Sequence, residues 1–274
     1  MLEPQACACY TASGYTCIAC NESFFSLPSL YPYTDHLLGL RSHFSLIGID
    51  NSRLFRGGTS PLRLDSWWSG LATHPYAGFR KYTLDGISNG FRIGFNRLQP
   101  LRSATRNMPS ALLHEEVVSA YIDAELNLNR LLGPMPSNNV SLLHCNRIGV
   151  VPKGHTPGKW RLITDLSFPP ERSVNDGIDP ALCTLSYVSV DTITTIIAHL
   201  GRGSQLAKID IQAAYRLVPV HPDDRPLLGI EWKGQFYCDA MLPFGLRSAP
   251  KIFTALADAI ERQIRCRGVF YIAH

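Results

Sequence analysis

Apolar residues recur every three or four positions in several stretches of the chain and alternate or run together in others, so the pattern separates helices from strands. The clearest helical stretch runs from about Ala111 to Leu132, with Leu113, Val117, Tyr121, Ala124, Leu128 and Leu131 forming one apolar face. Ser110 stands after Pro109 as its N-cap, Glu115 and Glu116 lie near its positive end, and Gly133-Pro134 closes it. A second helix is predicted from Asp191 to Leu200, capped by Asp191, carrying Ile193, Ile196, Ile197 and Leu200, and ended by Gly201. A third runs from Ser248 or Ala249 to about Arg267, with Ile252, Leu256, Ala259, Ile260 and Ile264 on one side and Gly268 as its stop. Trp67, Trp68 and Leu71 suggest a short helix that ends before Pro75.

Elsewhere the pattern is that of strands. Residues 147–153 and 159–166 flank a Gly/Pro-rich turn at 154–158, which reads as a hairpin with Lys153 near its tip and Lys159 and Arg161 on the return strand. Residues 227–232 and 235–240 flank Lys233-Gly234, a second hairpin signal. The stretches 82–87 and 90–95 read as helix followed by strand, and Ser173 to Ile178 as a turn. An apolar run from Leu206 to Ile211 carries one carboxylate, Asp210, near its end; it predicts a buried strand that delivers a single charge to a site at its tip. From Gly203 the order is strand, short helix or turn, hairpin, helix, and a last strand at Val269-Phe270-Tyr271-Ile272.

Composition adds limits to this picture. With 274 residues and 45% hydrophobic content the chain can build a sizeable core. Residues 1–59 have no sustained period and are expected to form a poorly structured leader. The net charge is only +4, so affinity for a polyanion must come from local clusters. Two clusters exist: Arg80, Lys81, Arg92, Arg97, Arg102 and Arg106, interleaved with Tyr82, Phe91 and Phe95, and then Arg147, Lys153, Lys159 and Arg161. Lysine acts on a phosphate as a point charge and arginine bonds two oxygens at once, so the second cluster suits phosphates; for Arg161 the competing reading is a surface ion pair with Asp165 or another acid.

No run approaches the roughly 20 apolar residues of a membrane-spanning helix, and no membrane partner is expected. The start of the chain lacks a basic region followed by an apolar core, so an intracellular setting, cytoplasmic or nuclear and not secreted, is expected, with the cysteines as thiols. Cys7, Cys9, Cys17 and Cys20 have the number of thiolates a tetrahedral zinc site needs, but the tight Cys-x-Cys arm favours an unstructured leader over zinc.

A set of short motifs now falls in one order: Trp160-Arg161 with Asp165-Leu166, Ser173-Val174-Asn175-Asp176, Asp210 with Ala214-Tyr215, and Leu242-Pro243-Phe244-Gly245-Leu246 with Ala249-Pro250 and Phe253. On these residues the stretch from about Pro75 to Tyr271 resembles the reverse transcriptase region of retrotransposons, and of DIRS-like elements in particular. The resemblance implies an α+β fold, the fingers and partial palm of a right-hand polymerase, with an incomplete ferredoxin-like palm sheet and no thumb. It divides the chain into the leader 1–59, a mostly helical extension with a basic stretch at 60–135, a fingers-like region at 136–202 and a partial palm at 203–274.

By the same resemblance Asp210 matches the first metal-binding aspartate, with the backbone carbonyl of Ile211 as a second oxygen for Mg²⁺. Arg161 and Lys153 match residues that hold the incoming deoxynucleoside triphosphate, and Tyr215 matches the steric gate under the sugar. Phe244 and Gly245 belong to a loop under the nucleotide and templating base. Arg92, Arg97, Arg102, Arg106, Arg147 and Lys159 are the candidate contacts to an RNA or DNA template–primer. The family's Tyr-x-Asp-Asp is replaced here by Tyr271-Ile272-Ala273-His274, whose side chains suit Mg²⁺ poorly, so the expectation is a polymerase fragment inactive by itself. The alternative is a non-catalytic nucleic-acid-binding remnant that uses the two basic stretches.

Overall fold

The computed structural model describes residues 15–17, 22–24, 55, 57–96, 101, 103, 106–136, 141–154 and 158–266. Near the N-terminus Tyr15–Cys17 (β1) and Glu22–Phe24 (β2) form an antiparallel pair. Two helices follow, α1 at Leu64–Leu71 and α2 at Ala77–Asn89, then α3 at Pro109–Leu113 and α4 at Glu115–Asn127. The strands Leu131–Leu132 (β3), Cys145–Pro152 (β4) and Trp160–Asp165 (β5) precede α5 at Val190–Leu200. The strands Gly229–Trp232 (β6) and Gln235–Asp239 (β7) and the helix α6 at Ala249–Arg265 complete the described elements.

The two predicted hairpins form, and together they make most of one mixed sheet of order β3-β7-β6-β4-β5. β6 and β7 pair antiparallel through Lys233 and Gly234, both at positive φ (51° and 77°), as a two-residue turn with right-handed strand twist requires. β4 and β5 also pair antiparallel, with Val151 opposite Arg161 and Pro152 opposite Trp160. The link between the hairpins is parallel: Cys145 and Asn146 of β4 lie beside Gly229 and Ile230 of β6. Asn146 reinforces that seam, its buried side-chain amide donating to the carbonyls of Leu227 and Gly229 at 2.9 and 3.1 Å.

One face of the sheet is covered by α3 and α4, where Ala111, Val118 and Ile122 pack with Ile148, Val150, Leu162, Ile230, Trp232 and Tyr237. A larger core gathers α1, α2 and α6 around Phe91, Ile93, Phe95, Leu227, Leu242 and Leu246. On α6 the predicted positions Ile252, Leu256 and Ala259 are buried, whereas Ile260 and Ile264 are only partly so, and Lys251 and Glu261 are buried instead. A third, smaller cluster holds Phe55, Leu143, Cys145 and Cys238.

Five expectations are corrected. The long helix 111–132 is two helices broken at His114 (φ −132°, ψ 51°), followed by a strand that places Leu131 opposite Asp239. His114 packs on Trp160 with ring centroids 3.9 Å apart and the rings tilted by 38°, and its carbonyl accepts from the amides of Val117 and Val118. The buried face is Ala111, Val118, Ile122 and Glu125, while Leu113 and Leu128 are exposed. This face brings Glu125 inward, where it meets Arg216. Ser110 is not the cap, because its hydroxyl accepts from the Val150 amide at 3.1 Å; Met108 takes that position with Pro109 in the first turn. For α5 the cap is Ser189, whose hydroxyl accepts from the Thr192 amide at 3.1 Å, with Asp191 inside the first turn. Beyond α2 the stretch 90–95 makes isolated bridges, Phe91 to Val220 and Phe95 to Ile178, in place of a strand.

The fifth correction concerns residues 206–211. The segment is neither buried nor a strand; Leu206 is 71% and Ile209 78% exposed. A strand exists only through hydrogen bonds to a neighbour, and among the described residues none pairs with this segment. The apolar stretch that follows α6 in sequence, 269–272, lies outside the described residues.

Arg92, expected on a nucleic-acid surface, is instead drawn into the fold. Its Nε and Nη2 donate to the two oxygens of Asp224 at 2.8 and 2.9 Å, and Asp224 also accepts from the Ile93 amide at 2.9 Å. The Asp224 side chain is 1% exposed. Burial alone lowers the affinity of Arg92 for its proton, but Asp224 outweighs it and the balance is upward. Arg92→Ala leaves a buried carboxylate without its cation and is expected to cost about 3 kcal/mol in chemical denaturation. The same substitution should leave the salt dependence of nucleic-acid binding unchanged; a flatter salt slope would return Arg92 to the surface role.

Candidate functional site

β5 is built so that Asp165 and Arg161 have different fates. Asp165 faces Arg147 directly across the β4–β5 pairing, and the Arg147 Nε and Nη2 donate to its Oδ2 at 2.8 and 2.7 Å. The same guanidinium lies over the Phe168 ring, 3.7 Å from its centroid. Arg147 is thus committed to the sheet edge, which takes it out of the expected nucleic-acid contacts and removes the acid that would have paired with Arg161. Arg161, exposed, points its guanidinium toward Phe244, 5.8 Å from the ring centroid.

Phe244 belongs to a loop whose neighbours hold it from below. Leu242 and Leu246 are buried, at 0% and 3% exposure, while Phe244 between them is 39% exposed. Gly245 sits at φ +93°, and a Cβ there would stand about 2.8 Å from the Thr164 carbonyl, so backbone approaches backbone where only glycine fits. The loop is tied down by Asn175, 5% exposed in a short 3₁₀ turn at Asn175–Gly177. Its side-chain amide donates to the Gly245 carbonyl and the Ser167 hydroxyl, both at 2.9 Å, and its carbonyl oxygen accepts from the Arg247 amide at 2.8 Å. The Arg247 guanidinium returns to the Ile178 carbonyl at 2.8 Å.

Tyr215 forms the other wall. It lies in a 3₁₀ turn, Ala214–Leu217, reached through Ala213 at φ +53°, a left-handed conformation that alanine adopts at a cost. The Tyr215 ring centroid is 5.4 Å from that of Phe244 and 5.8 Å from that of Phe253. Burial, and secondarily Tyr187, raises its hydroxyl above the ordinary tyrosine value, so the ring is neutral at physiological pH. Arg161, Phe244 and Tyr215, separated by more than 80 positions, are therefore brought into one line of contact.

Behind that line lies a group of buried charges. Arg216, 3% exposed, donates through Nε and Nη2 to Glu125 of α4 at 2.9 and 2.7 Å and through Nη1 to Asp239 of β7 at 2.6 Å. Nη1 also reaches the Met241 carbonyl at 3.4 Å. Arg130 stands 3.8 Å from the second oxygen of Glu125. Burial opposes the charge on Arg216, but Asp239, Tyr121 and Glu125 outweigh it and raise the guanidinium's value. Burial also raises the Asp239 carboxyl, against the pull of Arg216. A shallow pocket lined by Tyr121, Thr164, Arg216, Asp239, Pro243 and Phe244 opens on this network. Sequence reasoning missed the network, although one signal was available: a charge inside the apolar run Tyr215-Arg216-Leu217-Val218 must find a partner if it is buried.

The remaining candidates are scattered. Asp210 and Ile211 are exposed on a segment that pairs with no strand among the described residues. Among the described residues no group of three or more His, Cys, Asp or Glu side chains is arranged to hold a metal ion. One exposed carboxylate and one carbonyl do not fit a two-magnesium centre. Lys153, Lys159 and Arg106 are exposed, and the Lys153 amide closes the hairpin tip on the Lys159 carbonyl at 2.7 Å. Arg97, Arg102 and the side chains of Cys7, Cys9, Cys17 and Cys20 lie outside the described residues.

No protein-family model matches the chain. Among curated proteins, 106 residues, or 39% of the chain, are 29% identical to the Pro-Pol polyprotein of Simian foamy virus type 1. A stretch of 129 residues, 46% of the chain, is 29% identical to the Pro-Pol polyprotein of Simian foamy virus type 3 (strain LK3). A further 78 residues are 27% identical to the genome polyprotein of Petunia vein clearing virus (isolate Shepherd). The chain spans 8%, 10% and 4% of these three relatives. Among solved structures, the Prototype Foamy Virus protease-reverse transcriptase (CSH mutant) is 19% identical with a TM-score of 0.46, over 76% of this chain and 28% of that one. The foamy viral protease-reverse transcriptase in complex with RNA/DNA hybrid is 16% identical with a TM-score of 0.41, over 79% of this chain and 29% of that one.

Asn175→Ala removes the ties of the Phe244 loop to the end of β5. The expected result is a loss of about 2 kcal/mol in stability, from a carbonyl and an amide left without partners. The loss should be concentrated in the loop, so that hydrogen exchange at the Arg247 amide accelerates more than at the amides of β4. A uniform acceleration would mean that Asn175 acts on the whole fold.

Proposed function

We propose that this chain is part of the reverse transcriptase region of a retroelement polyprotein, DIRS-like, and that it binds template–primer and deoxynucleotide without completing a polymerase centre. The observation that carries the reading is the line Arg161, Phe244 and Tyr215: an exposed cation, a half-exposed ring and a second ring in contact, on three segments far apart in the chain. A nucleotide has three parts to recognise, and the line offers a group for each. Arg161, with Lys153 at the hairpin tip, faces the triphosphate. Phe244 meets the base or sugar face, and the Tyr215 ring stands where a 2′-hydroxyl would collide. Sequence similarity to foamy virus Pro-Pol polyproteins over 39% and 46% of the chain supports the assignment.

In this reading residues 136–202 are fingers-like and residues 203–274 belong to the palm. Mg²⁺ supplies two-metal nucleotidyl transfer in such enzymes; this reading assigns Asp210 and the Ile211 carbonyl to it, and those two oxygens do not make up a two-metal site. Ala273, where the family carries an aspartate, has no side-chain oxygen to add. The residues therefore bind and orient, and the transfer step is absent from this chain.

The second reading, a nucleic-acid-binding remnant with no nucleotide site, is favoured by Lys153, Lys159 and Arg161, which pair with no carboxylate among the described residues. Exposed cations of this kind bind phosphates by releasing counterions, whatever the base sequence.

Two measurements test the readings, and the second separates them. Anisotropy of a labelled primed RNA template should show affinity that falls steeply with salt, and each of Lys153→Ala, Lys159→Ala and Arg161→Ala should reduce the salt slope by about 1. A deoxynucleoside triphosphate matching the template should tighten the complex in the first reading and have no effect in the second. Mg²⁺-dependent extension of the primer by this chain, abolished in Asp210→Ala, would refute the proposed absence of transfer; binding with no salt dependence would sink both readings.

A further inference from the structure

We infer that Arg216 is a positioning residue that sets the separation of the Tyr215 and Phe244 walls and thereby the discrimination between deoxyribose and ribose; this rests on the nucleotide-binding reading above. Arg216 follows Tyr215 within a single 3₁₀ turn, where successive side chains diverge by about 120°. One side chain therefore faces the rings while the next enters the interior. The guanidinium is held from two elements at once, by Glu125 of α4 and Asp239 of β7, and its Nη1 touches the carbonyl of Met241, three residues before Phe244. One planar group thus spans both walls: its backbone carries Tyr215, and its far end meets the strand and loop that carry Phe244.

The charges do not serve packing alone. Apolar side chains of similar volume could fill the space between α4 and β7 at equal or greater stability, so three buried charges are weak evidence for stability and better evidence for a fixed geometry. The entrance at Ala213, strained at φ +53°, points the same way, because such a conformation persists only when its surroundings over-determine it.

The test compares dATP with ATP, by isothermal titration on the full chain bound to a primed RNA template whose next base is uracil. Two variants are used, Arg216→Lys and the triple Glu125→Leu/Arg216→Met/Asp239→Leu, with thermal unfolding of each recorded. Lysine keeps the charge but cannot fork between two carboxylates and a carbonyl, and the triple change leaves no carboxylate unpaired.

The expected result is a wild-type preference for dATP that falls roughly tenfold in both variants, while affinity for inorganic triphosphate, held through Arg161, stays the same. Tyr215→Ala should remove the preference by itself. An unchanged dATP/ATP ratio in either variant that unfolds cooperatively overturns the inference and leaves nucleotide binding standing. If the wild-type chain binds template–primer but neither nucleotide, the nucleotide-binding reading falls and the inference falls with it.

Discussion

The structure depends on an arginine that cannot be left alone. Arg216 is buried, stays charged, and lies where α4, β7 and the turn carrying Tyr215 converge. Its partners Glu125 and Asp239 are buried as well, so each charge is tolerable only while the others are in place. This mutual requirement explains why the face of α4 turned to the sheet includes a glutamate. It also explains why the end of β7 and the turn at Ala214–Leu217 are held in fixed relation, although one lies in the sheet and the other outside it.

Around that centre the candidate site is assembled from backbone more than from reactive groups. Asn175 holds the Phe244 loop through Gly245 and Arg247, and Gly245 lets the loop approach the Thr164 carbonyl closely. Arg147 takes Asp165, which leaves Arg161 for the ring of Phe244. The outcome is a cationic and aromatic wall rather than a constellation of acids and bases. Asp210 is exposed, and among the described residues it belongs to no group of three or more His, Cys, Asp or Glu side chains arranged to hold a metal ion.

Legibility in the sequence varied with the range of the interaction. The hairpin at Lys233-Gly234 was readable because two adjacent residues at positive φ decide it. The face of α6 was readable at Ile252, Leu256 and Ala259, where the period is strict, whereas that of α4 was not. Two adjacent valines, Val117 and Val118, admit either register, and the choice was made by Arg216, 91 residues away from Glu125 in the chain. The capping errors have the same origin: Ser110 satisfies a β4 amide instead of a helix amide, a competition between two legitimate partners that no local pattern resolves. Arg92 and Arg147 looked like surface cations for a similar reason, since their acids, Asp224 and Asp165, lie 132 and 18 residues away.

By itself the sequence determined the hairpins, the amphipathic helix α6, the order of the motifs and the supply of cations at the β4–β5 tip, all of which follow from neighbours within a few residues. Only the tertiary structure decided which of those cations remain exposed, which glutamate turns inward, and which rings meet. It also decided that the apolar run before Asp210 is not a strand, because a strand is a property of two segments and the hydrogen bonds between them, never of one.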